Sequence, residues 1–209
     1  KTENIMKQIK FLIVLVVAVF VSSCEDTFLS PDLTTGISSD TYFTTVEEVE
    51  TAVVNMYDGI QGFNALKDTG SNLNHGVQVE FYVTEMRSDN TRTKSQEGEA
   101  AQFDFYTVES TNGIVADYYR SYYNVIYRAN LVLANLEAAG SSSAKFEAEA
   151  KFVRAYAYFN LVRLFGDIPL IDKVIAPLDI ETSFTRVAAS NIYDLIVSDL
   201  QTAVSNLDD

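Results

Sequence analysis

Two segments with helical periodicity lie next to each other along the chain and are separated by a short turn. In residues 113–139, apolar side chains recur three and four residues apart: Val115, Tyr118, Tyr122, Val125, Ala129, Val132 and Leu136. In residues 144–165, a similar spacing is followed by Phe146, Ala150, Val153, Ala157, Leu161 and Leu164. Side chains at these intervals share one face of an α-helix. The sequence therefore predicts two long amphipathic helices that pack as an antiparallel hairpin.

Both predicted helices end at residues that favour termination. Gly140 follows the first helix in the position of a left-handed cap, and Gly166 and Pro169 end the second. The second helix also carries a further apolar face, formed by Phe152, Tyr156 and Phe159. That face predicts a helix covered from more than one side. The hairpin approaches the length of a tetratricopeptide repeat, although the signature of that repeat is absent, and it indicates a mainly all-α fold.

Shorter patterns predict the elements before the hairpin. Thr45 and Glu48 match a capping box, so a helix is predicted to begin there. Residues 62–76 contain many Gly, Asn and Asp residues and predict a loop. Residues 77–86 fit either a strand or a short helix, and residues 87–100 are polar and predict a long exposed loop.

A last amphipathic helix is predicted over residues 191–207. Its apolar positions are Ile192, Leu195, Ile196, Leu200, Ala203 and Leu207. Because these positions form one stripe on a helix, they must pack against another element.

The amino-terminal residues have the pattern of a secretory signal. A short basic region, residues 6–10, precedes eleven consecutive apolar residues, 11–21. A helix of that length spans only about 16 Å, whereas the hydrocarbon layer of a membrane is roughly 30 Å thick. A permanent membrane span is therefore the poorer interpretation. We predict that residues 1–23 are a signal peptide whose true start is Met6.

Cys24 ends a short sequence, Val21-Ser22-Ser23-Cys24, that resembles a bacterial lipobox. In a lipobox the cysteine thiol receives a diacylglyceryl group, and several acyl chains, such as palmitate, anchor a protein stably where one chain does not. Residues 24–40 are then a lipidated tether. Glu25 and Asp26 resemble the acidic signal that sends some lipoproteins of glycan-degrading Gram-negative bacteria to the cell surface.

The composition excludes several kinds of chemistry. The 15 basic and 29 acidic residues give a net charge of −14, which disfavours nucleic acid as a partner because phosphate contacts need clustered Lys and Arg. Cys24 is the one cysteine and His75, in the predicted loop, is the one histidine. Neither an intrachain disulfide, nor a Cys or His metal cluster, nor a Ser-His-Asp site can form within the chain. We predict no metal, no cofactor and a solvent-facing role for His75.

Two clusters remain as candidates for chemistry or binding. Glu80, Glu85 and Asp89 are near one another in sequence, but acidic clusters arise by chance in so acidic a chain, so a glycosidase is the weaker hypothesis and we predict no enzymatic activity. A tyrosine-rich run lies in the first long helix: Tyr118, Tyr119, Tyr122, Tyr123 and Tyr127. Its helical spacing is typical of core packing, and stacking against sugar rings is the alternative.

Five ordered segments resemble the amino-terminal half of the SusD/RagB family of lipoproteins. They are Tyr42-Phe43 with the helix through Ala52 and Tyr57; Glu85-Met86-Arg87-Ser88-Asp89; Tyr123, Ile126, Ala129-Asn130 and Leu133; residues 148–159 with their continuation to residue 170; and Arg186 with Ile192-Tyr193, Ile196, Asp199-Leu200 and Ala203. The fourth segment is the most specific. The tryptophan that is common in the family ahead of the third segment is replaced by Tyr118 or Tyr119.

The resemblance implies a tetratricopeptide-like scaffold of helical hairpins. Residues 41–209 would form an incomplete SusD-like amino-terminal domain, because family members are much longer and the chain is expected to be truncated. The resemblance also favours a short helix within residues 77–86. Asn130 and Arg154, on the buried helices, are expected to be hydrogen-bonding struts rather than ligand contacts.

The resemblance also implies a function. Such proteins cap a TonB-dependent, SusC-like transporter in the outer membrane and hand it oligosaccharides. The candidate ligand-binding residues are Arg87, Asp89, Asn90 and Arg92, whose planar polar groups can bracket sugar hydroxyls. A peptide-binding, RagB-like uptake component and a periplasmic helical scaffold that binds only proteins are the alternatives.

Overall fold

Helices make up most of the structure. The computed structural model describes residues 42–62, 79–94, 97–175 and 184–207. Within them the helices are α1 (Val46–Gly59), α2 (Glu80–Thr84), α3 (Ala101–Asp104), α4 (Gly113–Ala134), α5 (Ser143–Phe165) and α6 (Ala189–Asn206). Short 3-10 segments cover Glu85–Arg87 and Leu136–Ser142, and strand β1 (Ile168–Pro169) pairs antiparallel with β2 (Arg186–Val187). The prediction of a mainly all-α fold is confirmed.

Helices α4 and α5 form the predicted antiparallel hairpin. Tyr119 near the start of α4 contacts Phe165 at the end of α5, and Asn130 near the end of α4 bonds to Arg154 in the middle of α5. α5 also packs against α6, and α1 packs against α4. The main core lies between these four helices, and its largest fully buried side chains include Tyr158, Met56, Ile126, Leu161 and Ile192.

The second apolar face of α5 differs from its prediction. Both α4 and α6 cover α5, so the expectation of contacts on two sides is confirmed. Phe152, Tyr156 and Phe159, however, are partly exposed. Ala155 is buried, as are Ala150 and Ala157 of the first predicted face, and these small side chains let neighbouring helices approach the backbone of α5 closely.

The capping box at the start of α1 is confirmed. The Thr45 hydroxyl accepts a hydrogen bond from the Glu48 backbone N–H, and the Glu48 carboxylate accepts one from the Thr45 backbone N–H at 2.9 Å. These two bonds satisfy amides that have no partner within the helix. The helix then buries Val49, Val53 and Met56, which are among the apolar residues of the main core.

Helix α4 is shorter than predicted at its carboxyl end. The Asn112 side chain accepts from the Val115 N–H and caps the start, but the helix stops at Ala134 rather than Ala139. Asn135 contributes to this ending, since its side-chain amide donates to the Leu131 carbonyl at 2.7 Å. A 3-10 segment follows. Gly140 lies inside it with φ +54° and ψ −122°, which is outside the left-handed helical region predicted for a cap.

The ambiguous segment before the polar loop is a short helix. Val79, Val83 and Met86 are buried, as a helical period requires, whereas Phe81 is 43% exposed and does not continue a strand-like alternation. Val79, Val83 and Met86 form a second core cluster with Phe103, Ile114 and Tyr118. The polar loop that follows is mostly exposed over its described residues, although Ser88, Thr91 and Thr93 are half-buried, and the loop ends where α3 begins.

The last helix, α6, starts two residues earlier than predicted, at Ala189, and ends at Asn206. All of these elements belong to one compact unit, residues 43–209. None of the helices within the described ranges is both long and apolar enough to cross a membrane. The predicted signal peptide, Cys24, its tether and His75 lie outside the described residues.

Candidate functional site

The predicted ligand-binding residues lie on an exposed loop between α2 and α3. Arg87, Asp89, Asn90 and Arg92 are all exposed to solvent. The backbone beneath them is fixed at Arg87, whose carbonyl accepts a hydrogen bond from the Tyr106 hydroxyl at 2.9 Å. The loop is therefore held to the domain while four polar side chains are presented to solvent.

Two further bonds hold the same loop. The Thr91 hydroxyl donates to the carbonyl of Glu85, and the Thr93 N–H donates to the Asp104 carboxylate at 3.1 Å. Thr91 and Asp104 were not identified from the sequence. Short polar residues that bond to nearby backbone are common in loops, so no pattern distinguished these two.

Of the acidic cluster, Glu80 has a structural contact. Its carboxylate accepts a hydrogen bond from the Tyr122 hydroxyl at 3.0 Å. Burial, together with neighbours that include Glu80, raises the pKa of Tyr122 and of Tyr118. Within the described ranges, no three His, Cys, Asp or Glu side chains come together in a way that could hold a metal ion.

The tyrosine run of α4 is divided between two faces. Tyr118 is buried in the second core cluster, where its ring lies 4.7 Å from that of Tyr122. Tyr119, Tyr123 and Tyr127 are four residues apart and share another face of α4. Tyr127 is 49% exposed. The interpretation of the run as core is thus confirmed for Tyr118, whereas Tyr127 faces solvent.

That second face forms one wall of an open groove, which we call the tyrosine groove. Its volume is about 450 Å³. It is lined by Tyr119, Arg120, Tyr123, Asn124, Ile126 and Tyr127 of α4, by Ile171, Lys173 and Ile175 of the segment after β1, and by Phe184 before β2. Phe184 is 52% exposed, so the described lining includes an exposed aromatic ring from outside α4.

Aromatic contacts fix the rings at the base of the groove. The Tyr119 ring lies 4.7 Å from that of Tyr123 and packs edge-on against Phe165 at 5.1 Å between centroids. Tyr123 in turn lies nearly perpendicular to the buried Tyr158 ring, at 6.5 Å. These tilted and edge-on arrangements are the favourable ones for aromatic pairs. The chain of rings leaves Tyr119 and Tyr123 little freedom to rotate.

Side chains of α4 and α5 also hold the opposite wall, residues 169–173. The Tyr123 hydroxyl donates to the Pro169 carbonyl at 2.8 Å, and the Tyr158 hydroxyl donates to the Ile171 carbonyl at 2.9 Å. Burial is the main factor that raises the pKa of both tyrosines, so their hydroxyls remain protonated donors even at alkaline pH. Because this wall is not helical, its backbone needs hydrogen-bond partners from elsewhere, and the two tyrosines satisfy the carbonyls of Pro169 and Ile171.

Asn130 and Arg154 complete this anchoring. The Asn130 amide donates to the carbonyls of Ile171 and Lys173 at 3.0 and 3.2 Å, and Arg154 donates to the Asp172 carbonyl at 3.1 Å. Arg154 also donates to the Asn130 side-chain oxygen at 2.8 Å. The prediction that Asn130 and Arg154 are hydrogen-bonding struts is confirmed.

The buried charge of Arg154 is balanced by Asp199 of α6. Two parallel hydrogen bonds join them, from Nε to Oδ2 at 2.8 Å and from Nη2 to Oδ1 at 2.9 Å. A bidentate pair satisfies a buried carboxylate and fixes the orientation of the guanidinium. One network therefore connects α4, α5, α6 and the wall of the tyrosine groove.

A second, more polar cavity of about 340 Å³ shares Tyr119 and Arg120 with the tyrosine groove. Asn112, Asp167 and Arg186 supply further polar groups to its lining. The Asp167 carboxylate accepts from the Ala189 N–H at the start of α6. The two cavities meet along α4 at Tyr119 and Arg120.

Comparison with known proteins agrees with the resemblance seen in the sequence. Residues 37–209 match a SusD-like family model described as "Starch-binding associating with outer membrane". The SusD-like protein P38 of Formosa agariphila is 27% identical over 209 residues, which is 99% of this chain and 38% of that protein. The chain thus spans well under half the length of this relative.

Solved structures show the same fold. A SusD superfamily protein from Bacteroides fragilis superposes with a TM-score of 0.64 at 26% identity, covering 80% of this chain and 40% of that one. A protein described as a laminarin-binding SusD-like protein superposes with a TM-score of 0.62 at 25% identity, covering 78% and 34%. On the match over residues 37–209 and the shared helical fold, this chain belongs to the SusD-like family.

Proposed function

We propose that this protein is a surface-exposed outer-membrane lipoprotein that binds oligosaccharides and delivers them to a TonB-dependent, SusC-like transporter. The observation that carries the proposal is the match of residues 37–209 to a family described as starch-binding and associated with the outer membrane. The fold shared with a laminarin-binding relative supports glycan as the ligand class. The lipobox at Cys24 supports attachment to the membrane.

Within this proposal, the exposed loop remains the predicted ligand contact. Arg87 and Arg92 present planar guanidinium groups, Asn90 an amide and Asp89 a carboxylate. Together they offer donors and acceptors to the hydroxyl groups of a sugar, each of which can both donate and accept. The hydrogen bonds beneath the loop lower the entropy that binding would cost, because the backbone is already held.

Calorimetric titration of the purified lipoprotein tests the ligand class. We expect binding of soluble oligosaccharides, such as laminari- or malto-oligosaccharides, and none of unstructured peptides of similar mass. Arg87→Ala and Arg92→Ala are expected to weaken glycan binding, with Lys145→Ala as a control because Lys145 is an exposed cation on α5. Binding of peptides alone would support the RagB-like alternative and contradict the proposal.

Membrane attachment is tested with Cys24→Ala. This variant lacks the thiol that receives the acyl chains, so we expect it to move from the membrane fraction to the soluble fraction. Protease treatment of intact cells tests exposure at the surface, since a periplasmic protein is protected by the outer membrane. An unchanged membrane fraction for the variant, or a wild-type protein that survives protease, would contradict this part of the proposal.

A further inference from the structure

An apolar cleft of about 300 Å³ lies between α5 and α6, and we call it the α5–α6 cleft. Its described lining is Phe152, Ala155, Tyr156 and Phe159 of α5 with Tyr193, Ile196 and Leu200 of α6. Apart from the two tyrosine hydroxyls, these side chains are hydrocarbon. The cleft therefore offers few hydrogen-bonding groups to a sugar or another polar ligand.

The large side chains of the cleft are open to solvent. Its three aromatic residues on α5, and Tyr193 and Leu200 on α6, are between 37% and 47% exposed. Val197 and Val204 continue the apolar row along α6 and are more exposed still. Soluble proteins usually cover a contiguous apolar patch of this kind with another element or a partner. The α5–α6 cleft is thus an interface that lacks its second side.

The spacing of the exposed residues fits a helix as the occupant. Phe152, Tyr156 and Phe159 are four and three residues apart, so they form one row along α5. The row on α6, from Tyr193 to Val204, has steps of four, three and four residues. Two such rows with a trough between them are the surface into which the apolar face of an amphipathic helix packs. The α6 row is about 16 Å long at 1.5 Å per residue, which corresponds to three turns of a helix.

The order of the long helices also favours a helix at this position. The hairpin of α4 and α5 is antiparallel, and α6 is antiparallel to α5, since Lys151 hydrogen-bonds to Thr202 and Arg154 to Asp199. A helix that continued this order would run antiparallel to α6 and pack beside it. The α5–α6 cleft is an open apolar surface on which such a helix can contact both α6 and α5.

The relatives are long enough to supply this helix. The P38 protein is matched over 38% of its length, and the Bacteroides fragilis structure over 40% of its chain. The larger part of each relative therefore has no counterpart in residues 1–209. A helix of three turns needs only about eleven residues of that additional length.

We propose that the α5–α6 cleft is an interface inside a longer protein, occupied by an amphipathic helix from the part that relatives have in addition to residues 1–209. This helix presents apolar side chains three and four positions apart to Phe152, Phe159 and Leu200. The inference rests on the family membership and on the exposed apolar surface. It does not depend on which ligand the proposed function involves.

Two chimeras test the proposal. In each, residues 24–209 are followed by the part of one relative that lies beyond its match, taken from P38 or from the Bacteroides fragilis protein. Cys24→Ala, with serine in place of any cysteine in the added part, leaves one introduced thiol as a probe. Leu200→Cys and Tyr193→Cys place the probe in the cleft. Ser198→Cys is the matched control, because Ser198 is exposed on α6 but two residues from Leu200, and so on another side of the helix.

The rate of maleimide labelling is compared between residues 24–209 alone and each chimera. Without the added part, the three thiols are expected to react at rates within about threefold of one another, because all three positions are accessible. In the chimeras, the Leu200→Cys and Tyr193→Cys thiols should react at least about tenfold more slowly, because a docked helix must detach before the reagent enters. The Ser198→Cys thiol should keep its rate. Circular dichroism checks that residues 24–209 remain helical in each variant.

Two results would overturn the proposal. The first is a pair of cleft thiols that react as fast in both chimeras as in residues 24–209 alone, whether the added part docks elsewhere or stays unfolded. The second is a dimer of residues 24–209 in size-exclusion chromatography in which the cleft thiols are protected, since a second copy would then occupy the cleft. The proposed function is judged by its own oligosaccharide titrations, so its failure and the failure of this inference are distinguishable.

Discussion

Arg154 shows how one residue organises several segments. Its guanidinium is buried, pairs with Asp199 on α6, bonds to Asn130 on α4 and donates to the Asp172 carbonyl. Arginine suits this position because its planar group carries donors in fixed directions, which lysine does not offer. The same residue therefore connects the helix packing to the shape of the tyrosine groove.

Arg154→Ala is expected to lower the free energy of unfolding by about 3–5 kcal/mol, because it leaves the Asp199 carboxylate buried without its ion-pair partner. Lys145→Ala is the matched control on the same helix. Its pair with Glu149, at 4.0 Å, is exposed on the lysine side, and its removal is expected to cost less than about 1 kcal/mol. Urea unfolding of both variants measures the difference. Equal costs would show that the buried pair does not stabilise the fold.

The role of Arg154 was predictable from the sequence, but its main partner was not. The segment around Arg154 resembles the SusD/RagB family, and this resemblance indicated that Arg154 is a hydrogen-bonding strut. Asp199, however, lies 45 positions further along the chain, and no spacing rule joins residues at that separation. The groove residues Ile171, Lys173 and Phe184 escaped prediction for a similar reason, since they lie outside helices and follow no period.

Helix α6 shows what periodicity can and cannot determine for an element. The sequence predicted the helix correctly, and Ile192, Ile196 and Ala203 are buried against its neighbours as expected. Leu200 and Leu207, which belong to the same predicted stripe, are exposed. A further apolar row, Tyr193, Val197 and Val204, is exposed as well. With apolar residues on two faces, the pattern alone does not select the face that packs.

The two faces of α6 are expected to differ in their effect on stability. Ile192 is fully buried, so Ile192→Ala should leave a cavity and cost about 2–5 kcal/mol. Val204 is 82% exposed, and Val204→Ala should change the free energy of unfolding by no more than about 0.5 kcal/mol. Urea unfolding of both variants gives the two values. A large cost at Val204, or a small one at Ile192, would mean that α6 packs through its other face.

At the scale of the whole molecule, the sequence predicted the all-α class and the central hairpin but not the short elements between the long helices. Helices α1, α4, α5 and α6 were predicted because each has a long apolar stripe or a recognisable cap. The short helix α3 and the two-residue strands β1 and β2 were missed, since elements of that length contain only about one period of a helical or strand pattern, which is too little to recognise. Their contacts are with the rest of the fold: β1 and β2 pair with each other, β1 also contacts α5, and Phe103 of α3 lies in the second core cluster.

The abundance of tyrosine predicts how the domain responds to alkaline pH. Burial is the main factor that raises the pKa of Tyr57 to about 12, and it also raises the pKa of Tyr118, Tyr122, Tyr123 and Tyr158 above the ordinary value of 10. The folded chain therefore retains protons above pH 10 that the unfolded chain releases. Because the unfolded state then binds fewer protons, stability is fully present below pH 10 and falls as the pH rises further.

We therefore expect the domain to remain folded up to about pH 10 and to unfold cooperatively above it. Absorbance at the tyrosinate band follows ionisation without interference, since the chain has 12 Tyr and no Trp, and far-ultraviolet circular dichroism follows the helices. The tyrosines whose pKa is raised by burial should ionise above pH 10, together with the loss of helix. Ionisation of all the tyrosines near pH 10 with the helices intact would show that the buried hydroxyls are accessible to solvent, and would contradict the packing of Tyr123 and Tyr158 against the groove wall.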